Sequence, residues 1–317
     1  MIKKVLTKEG LVIYDTADKI TIELDKEETE KILGEKIDFS KLDYHPRVVH
    51  MEIGDTCDFG CKYCYNKEMN RIKGLSTEQW KKVIDTIADF NVLSCTFGGG
   101  EAFENPDIIE LAKYAKGKSM TVAVTTNGKY LKKHSVEELN IFDQINISYH
   151  EDNTLFEEAL EYLSKGKIRT GINFMLSKPM LKHLKYIFDT ARKYDAELLL
   201  LAYKPMLRDY ENQIPPAHVL KIAEFLATKW HKVSVDGMGG LKCVASQYFV
   251  DVNSQGKVYQ CSFVRGVLGD LTKQSLKEVW ENRTKVIKCP YVKKEEVNHL
   301  YNHINNNAEE GFIQLKS

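Results

Sequence analysis

Short apolar runs alternate with amphipathic stretches over residues 48–203. Six runs are rich in branched side chains and predict strands, and they begin at Val48, Leu93, Met120, Ile145, Thr170 and Leu198. The stretches between them carry apolar residues at helical spacing, as in Trp80, Val83, Ile84 and Ile87, and a capping-box pattern of Ser76 and Gln79 predicts the start of that helix. Such alternation is typical of strand–helix units and of a parallel sheet.

The number of repeated units limits the architecture. Six units in about 190 residues fall short of the eight that close a barrel of about 250 residues, so we predict an α/β fold with a partial (β/α)6 TIM-like barrel. We assign residues 46–235 to this barrel and residues 1–45 to an N-terminal extension of short strands and a helix. We assign residues 236–317 to a smaller C-terminal α+β module, because short strands, glycine turns and one short helix, SLKEVWEN, replace the repeat after Val233.

Composition excludes several classes of partner. Lysine and arginine (45) balance aspartate and glutamate (45), so no overall field draws the chain to nucleic acid or to an anionic membrane. No segment approaches the roughly 20 apolar residues that span a bilayer, and the start lacks the apolar core of a signal peptide. We therefore expect a cytoplasmic protein, in which the seven cysteines bind metal or do chemistry rather than form disulfides.

Three cysteines follow the first predicted strand in the sequence CDFGCKYC. Cys57, Cys61 and Cys64 have the spacing C-x3-C-x2-C and stand where α/β barrels bind ligands. Three thiolates can hold three irons of a [4Fe-4S] cluster and leave the fourth iron open to an outside ligand. The alternative is structural zinc, which normally has four protein ligands; His45 and His50 are near in sequence, but His50 lies within the predicted strand.

The cysteine spacing, with Tyr63 before the last cysteine, resembles the signature of the radical S-adenosylmethionine (SAM) superfamily. The resemblance implies that the methionyl amine and carboxylate of SAM bind the open iron, while Tyr63 lies near the adenine. It also implies an enzyme that reductively cleaves SAM to methionine and a 5′-deoxyadenosyl radical, which abstracts hydrogen from a substrate. The electron would come from a low-potential donor such as flavodoxin or ferredoxin.

Two later strand ends carry motifs in the order that this superfamily shows. FGGGE resembles its Gly-Gly-Glu element, in which the backbone approaches the methionyl amine, and we take Gly99, Gly100 and Glu101 as the equivalent positions. TTNG is similar to a common sequence near the bound cofactor and contributes Thr126 and Asn127. Either motif alone could be only a turn, but the two stand in register with the cysteines.

The next two strand ends complete the series. By resemblance, Ser148 is positioned for a ribose hydroxyl or the methionine carboxylate, and Asn173 falls near the ribose. Ile172 or Met175 would lie near the adenine. Cys95, within the second strand, is expected to be a small buried hydrophobe, with a role as hydrogen-atom donor as the alternative.

The remaining cysteines lie in the C-terminal module. Cys243 and Cys261 have the spacing C-x12-G-x4-C, and Cys289 follows. With the later LGDL and SLKEVW, this resembles the SPASM and twitch modules, which carry auxiliary iron–sulfur clusters. The full SPASM pattern has seven cysteines and two auxiliary clusters. This module has only three cysteines, so we expect one auxiliary [4Fe-4S] cluster. Its fourth ligand could be His299, His303, a solvent molecule or the substrate, and the alternative is a module without a cluster.

The resemblance favours a peptide or a protein side chain as substrate, modified by oxidation, crosslinking or epimerisation as in the maturation of ribosomally made peptides. An auxiliary cluster that accepts an electron from the substrate would make the enzyme an oxidoreductase. The alternative is a twitch-type dehydrogenase or rearrangement enzyme that acts on a small molecule such as an aminocyclitol, sugar or nucleotide. A non-catalytic electron carrier would need neither an open iron nor SAM-contact motifs.

Overall fold

The computed structural model describes residues 2–15, 20–66, 73–206, 208–237, 243–283 and 291. Cys289, His299 and His303 lie outside these residues. The described strands form two sheets, one of three strands and one of ten. Within the described residues, no helix is both long and apolar enough to cross a membrane.

The small sheet belongs to the N-terminal extension. Its antiparallel strands and the helix that follows are β1 (Ile2–Thr7), β2 (Gly10–Asp15), β3 (Ile20–Leu24) and α1 (Lys26–Leu33). The helix begins at a capping box of Asp25 and Glu28 and ends at Gly34, whose φ of 74° suits glycine. Lys3 Nζ donates a hydrogen bond to the Val92 carbonyl at 2.9 Å, which joins this sheet to the rest of the molecule.

The large sheet confirms the predicted α/β fold with a central parallel sheet. Its strands are β4 (Val48–Gly54), β5 (Ser94–Gly99), β6 (Thr121–Thr126), β7 (Gln144–Ser148), β8 (Arg169–Leu176), β9 (Glu197–Ala202), β10 (Val233–Val235), β11 (Phe249–Val252), β12 (Lys257–Cys261) and β13 (Val264–Asp270). The order is β10-β9-β8-β7-β6-β5-β4-β11-β12-β13. Strands β4 to β9 are the six predicted ones, and all neighbours from β10 to β11 are parallel.

The C-terminal strands continue the barrel sheet. β11 pairs in parallel with β4, and β12 and β13 follow as antiparallel neighbours. Phe249 is opposite Val48 and Val252 is opposite Met51 in this pairing. The hairpin that ends in Cys261 is therefore attached directly to the strand that leads into the first cysteine motif. The division of the chain into residues 1–45, 46–235 and 236–317 stays a prediction.

Helices cover the outer face of the large sheet. They are α2 (Thr77–Asp89), α3 (Ile108–Gly117), α4 (Val136–Leu139), α5 (Phe156–Leu163), α6 (Leu184–Lys193), α7 (Pro216–Ala227) and α8 (Leu276–Glu281). The predicted stripe of α2 is buried, with Trp80 only 1% exposed, and the predicted capping box of Ser76 and Gln79 starts this helix. Because strand side chains alternate, Val49 and Met51 join the apolar core while His50 and Glu52 lie on the other face.

Candidate functional site

The first cysteine motif lies on the loop that follows β4. Cys57, Cys61 and Cys64 are all partly buried free thiols. A turn, in which the Cys64 N–H donates to the Cys61 carbonyl at 3.3 Å, brings the last two together. Burial raises the pKa of Cys57. Three thiols on one loop are a donor set that fits a [4Fe-4S] cluster with one open iron. That these cysteines are its ligands stays a prediction.

The cysteine loop is held by the loops after the next two strands. Glu104, after β5, accepts hydrogen bonds from the Thr56 hydroxyl and, at 3.3 Å, from the Asp58 N–H. Lys129 and Tyr130, after β6, both donate to the Asp58 carboxylate, Tyr130 at 2.8 Å. The carboxyl edge of the sheet thus fixes the backbone between the first two cysteines.

A third contact to the cysteine loop comes from the end of β7. His150 Nε2 lies 3.4 Å from Cys61 Sγ. The His150 ring packs against that of Phe59, with 5.4 Å between the centroids and a tilt of 40°. Burial lowers the pKa of His150. Sequence reasoning did not identify this histidine. The available signal was its position two residues after Ser148, at the end of a strand.

The Gly-Gly-Glu element lies where β5 meets β4. Gly99 has φ of 111°, and the Gly100 N–H donates to the Gly54 carbonyl at 2.9 Å. The Glu101 N–H donates to the Thr56 carbonyl at 2.8 Å. A Cβ on Gly99 would lie 2.5 Å from the Gly54 oxygen, so only glycine allows this approach. The element therefore lies directly against the start of the cysteine loop.

Three of the predicted SAM contacts bind one another. The Glu101 carboxylate is 1% exposed and accepts hydrogen bonds from the Thr126 hydroxyl at 2.5 Å and the Asn127 N–H at 2.8 Å. It also accepts from the Phe103 N–H at 3.1 Å. Burial raises the pKa of Glu101, while these hydrogen bonds oppose the rise. The side chain thus joins the ends of β5 and β6.

Ser148 and Asn173 lie side by side in neighbouring strands, as partners in the register of β7 and β8. Asn173 Oδ1 is buried and has no hydrogen-bond partner among the described residues. A buried acceptor without a donor is costly, and a ligand hydroxyl would satisfy it. The Tyr63 ring lies 5.2 Å from that of Tyr203, which follows β9. The structure brings Ser148 and Asn173 together but does not test their roles.

The second set of cysteines is only partly described. Cys261 is the last residue of β12 and is partly buried, whereas Cys243 is exposed. Cys289 lies outside the described residues. The proposed ligand set of the auxiliary cluster therefore stays a prediction. Cys95 is a fully buried side chain of β5, as expected for a small hydrophobe.

A group of charged and polar side chains connects β4 to the C-terminal strands β11 and β13. We call its members, which are His50, Glu52, Asp251, Ser262 and Arg265, the seam cluster. His50 Nδ1 lies 2.5 Å from Asp251 Oδ1, to which the Ser262 hydroxyl donates at 2.8 Å. Arg265 donates to Glu52 Oε1 at 2.7 Å and to Asp251 Oδ2 at 3.2 Å. Both carboxylate residues are fully buried.

The seam cluster lies next to both cysteine motifs along the chain. Ser262 follows Cys261 directly. Tyr65, which follows Cys64, places its ring 5.4 Å from that of Phe263. Burial raises the pKa of Glu52, assisted by the charge of Asp251, whereas Arg265 acts in the opposite direction. Sequence reasoning missed this cluster, because hydrogen-bonded members of it are up to 213 residues apart.

Two segments of the chain match known protein families. Residues 51–169 match the radical SAM superfamily, and residues 243–302 match the SPASM iron–sulfur cluster-binding domain. The chain is a radical SAM protein with a SPASM module. This confirms the predicted resemblance and, with it, the cofactors that the two domains imply: SAM, a [4Fe-4S] cluster and auxiliary iron–sulfur binding.

Individual relatives of this radical SAM protein are distant. It is 24% identical over 288 residues to an AdoMet-dependent heme synthase of Methanosarcina barkeri, covering 75% of this chain and 82% of the relative. It is 23% identical to the mycofactocin maturase MftC of Mycobacterium tuberculosis, covering 75% and 71%. Streptococcus suis SuiB bound to the precursor peptide SuiA has the same fold, with a TM-score of 0.71, 16% identity and coverage of 88% and 87%. Four other curated relatives match over less than half of their own length.

Gly99→Ala is expected to weaken SAM binding about tenfold, measured as the Kd of anaerobically reconstituted protein. The new methyl group would meet the Gly54 oxygen at 2.5 Å in a backbone conformation that alanine rarely adopts, so the ends of β4 and β5 must separate. Gly117→Ala is the control, since its Cβ would meet nothing within 4 Å. A Gly99→Ala variant that binds SAM as tightly as the control would place the methionyl site elsewhere.

Proposed function

We propose that this radical SAM protein modifies a peptide substrate and that the net reaction is an oxidation. We call the antiparallel pair of β11 and β12 the SPASM hairpin. The observation that carries the proposal is the direct pairing of this hairpin, through β11, with β4, the strand that leads into the cysteine motif. A substrate at this junction would lie beside both sets of cysteines. The similarity to a mycofactocin maturase, and to the fold of an enzyme that binds a precursor peptide, supports a peptide in that position.

The residues at the carboxyl edge have distinct tasks in this proposal. Cys57, Cys61 and Cys64 would hold three irons, and the amine and carboxylate of SAM would bind the fourth. When bound and reduced, this group supplies the electron that cleaves SAM to methionine and a 5′-deoxyadenosyl radical. The backbone of Gly99 to Glu101 would contact the methionyl group. Asn173 would accept a hydrogen bond from a ribose hydroxyl through its unpartnered Oδ1.

The proposed oxidation would remove two hydrogens from the peptide. One would leave a C–H bond as a hydrogen atom taken up by the 5′-deoxyadenosyl radical, and the other would leave as a proton released to solvent together with one electron. An auxiliary cluster held by Cys243, Cys261 and Cys289 would accept that electron. A flavodoxin or ferredoxin would supply the electron for each SAM cleavage. Loss of two hydrogens from the peptide is the resulting mass change.

A small-molecule substrate is the second candidate. The relative that supports it is the AdoMet-dependent heme synthase, because the similarity covers 82% of that protein. A tetrapyrrole then takes the place of the aminocyclitol, sugar or nucleotide that the sequence suggested. The chemistry at the carboxyl edge would be the same in either case, so only the substrate separates the two candidates.

The test supplies both kinds of substrate to anaerobically reconstituted protein with SAM and dithionite. One set of reactions contains synthetic peptides encoded by short reading frames beside the gene. The other contains iron coproporphyrin III, the product named for another Methanosarcina barkeri relative. The proposal expects 5′-deoxyadenosine to rise with a peptide and that peptide to lose two hydrogens. A response to the porphyrin alone establishes the second candidate, and a response to neither contradicts both.

A further inference from the structure

The contact between His150 and Cys61 differs from the contacts that the loops after β5 and β6 make to the cysteine loop. Glu104, Lys129 and Tyr130 bind the loop through its backbone or through the Thr56 and Asp58 side chains. His150 alone among these four contacts reaches a sulfur, with Nε2 3.4 Å from Cys61 Sγ. That sulfur is one of the three expected to bind iron. A polar group that touches such a sulfur changes the electron density at the cluster.

The chemistry of the two atoms sets the direction of this contact. A thiolate that binds iron has no proton, whereas an imidazole nitrogen can carry one, so the hydrogen in this contact must come from His150 Nε2. Phe59 packs against the imidazole ring, with 5.4 Å between the ring centroids and a tilt of 40°. His150 directly follows Tyr149, whose N–H is bound to the Asn173 carbonyl at 3.0 Å.

We propose that His150 is a positioning residue that donates an Nε2–H hydrogen bond to the Cys61 sulfur and thereby raises the reduction potential of the SAM-binding cluster. Hydrogen bonds to cluster sulfurs stabilise the reduced state, because they compensate the added negative charge. The cluster is then easier for a cellular electron donor to reduce before SAM is cleaved. The inference rests on Cys61 as an iron ligand and requires no peptide, so it fails or holds independently of the proposed substrate.

The first experiment compares reduction potentials. Full-length protein is reconstituted with iron and sulfide, and a redox titration follows the electron paramagnetic resonance signal that changes when SAM is added. His150→Leu keeps an apolar side chain against Phe59 but lacks a donor, whereas His150→Gln retains an N–H. His45→Gln is the matched control, because His45 is also a partly buried histidine whose pKa is lowered by burial, to about 4.

At a fixed potential, the ratio of reduced to oxidised cluster is expected to fall about tenfold in His150→Leu, which corresponds to 59 mV for a one-electron couple. His150→Gln should lie between this variant and wild type, and His45→Gln should match wild type. Equal shifts in His150→Leu and His150→Gln would show that shape and not the hydrogen bond matters. An unchanged potential in His150→Leu would overturn the proposal.

A second measurement covers the case in which His150→Leu does not assemble a cluster. Wild-type protein that contains ¹⁵N-labelled histidine is reduced, and the coupling of ¹⁵N nuclei to the cluster spin is recorded. The proposal expects a coupling that His45→Gln retains and His150→Gln loses. Absence of any histidine coupling in wild type, or its persistence in His150→Gln, would overturn the proposal without reference to activity.

Discussion

Replacement of Cys57, Cys61 and Cys64 by alanine is expected to abolish SAM cleavage and to remove about four irons of about eight. The three thiols are the donors that the loop after β4 provides, and without them no iron remains to bind the SAM amine and carboxylate. Iron and sulfide content and the formation of 5′-deoxyadenosine under dithionite measure the two effects. SAM cleavage by the triple variant would contradict the proposed ligand set.

Cys95→Ala is the matched control for this experiment. Cys95 is fully buried in β5, and burial raises its pKa to about 12, so it does not form the thiolate that binds iron. Its replacement should leave iron content and SAM cleavage unchanged. If wild type holds only about four irons and the triple variant none, the C-terminal module carries no cluster. Oxidation through an auxiliary cluster would then have to be abandoned.

The elements that sequence predicted correctly are those fixed by local pattern. Runs of branched residues gave all six strands from β4 to β9, and the helical stripe and capping box of α2 are as expected. The short helix predicted in SLKEVWEN is α8. Strand β10 was expected only among the short strands that follow the repeat, and its parallel pairing with β9 was not predicted, because its three residues, Val233–Val235, are too few to show the pattern of a parallel strand. Local patterns also placed the cysteine and glycine motifs at strand ends.

Contacts between distant parts of the chain could not be predicted in this way. The pairing of β4 with β11 joins residues about 200 positions apart, and no local pattern of either strand indicates its neighbour. The seam cluster depends on this pairing, since His50 meets Asp251 only across it. The hydrogen bonds of the Glu101 carboxylate to Thr126 and Asn127 could not be predicted either, because a sequence motif identifies a residue but not the partner of its side chain.

Arg265→Met is expected to lower the free energy of unfolding by about 3–5 kcal/mol, measured by urea denaturation. The guanidinium of Arg265 forms an ion pair with Glu52 and a second one with Asp251. Its loss leaves two buried carboxylates close together, which raises the pKa of Glu52 further. A carboxyl with a raised pKa in the folded state destabilises that state as pH rises, so the loss should be larger at pH 8 than at pH 5.

Two comparisons separate this effect from simple loss of a side chain. Lys185→Ala removes a cation from the exposed pair with Asp189 and should change the free energy of unfolding by less than about 0.5 kcal/mol. Glu52→Gln combined with Arg265→Met removes one of the two buried carboxylates that have lost their cation. The free energy of unfolding of this double variant should exceed that of Arg265→Met alone by at least about 1 kcal/mol. The single variant Glu52→Gln also lowers the free energy of unfolding by some amount. If the double variant is less stable than Arg265→Met by that same amount, the two residues are not coupled. The attachment of the SPASM hairpin to the barrel would then depend on the strand pairing of β4 with β11 and not on the seam cluster.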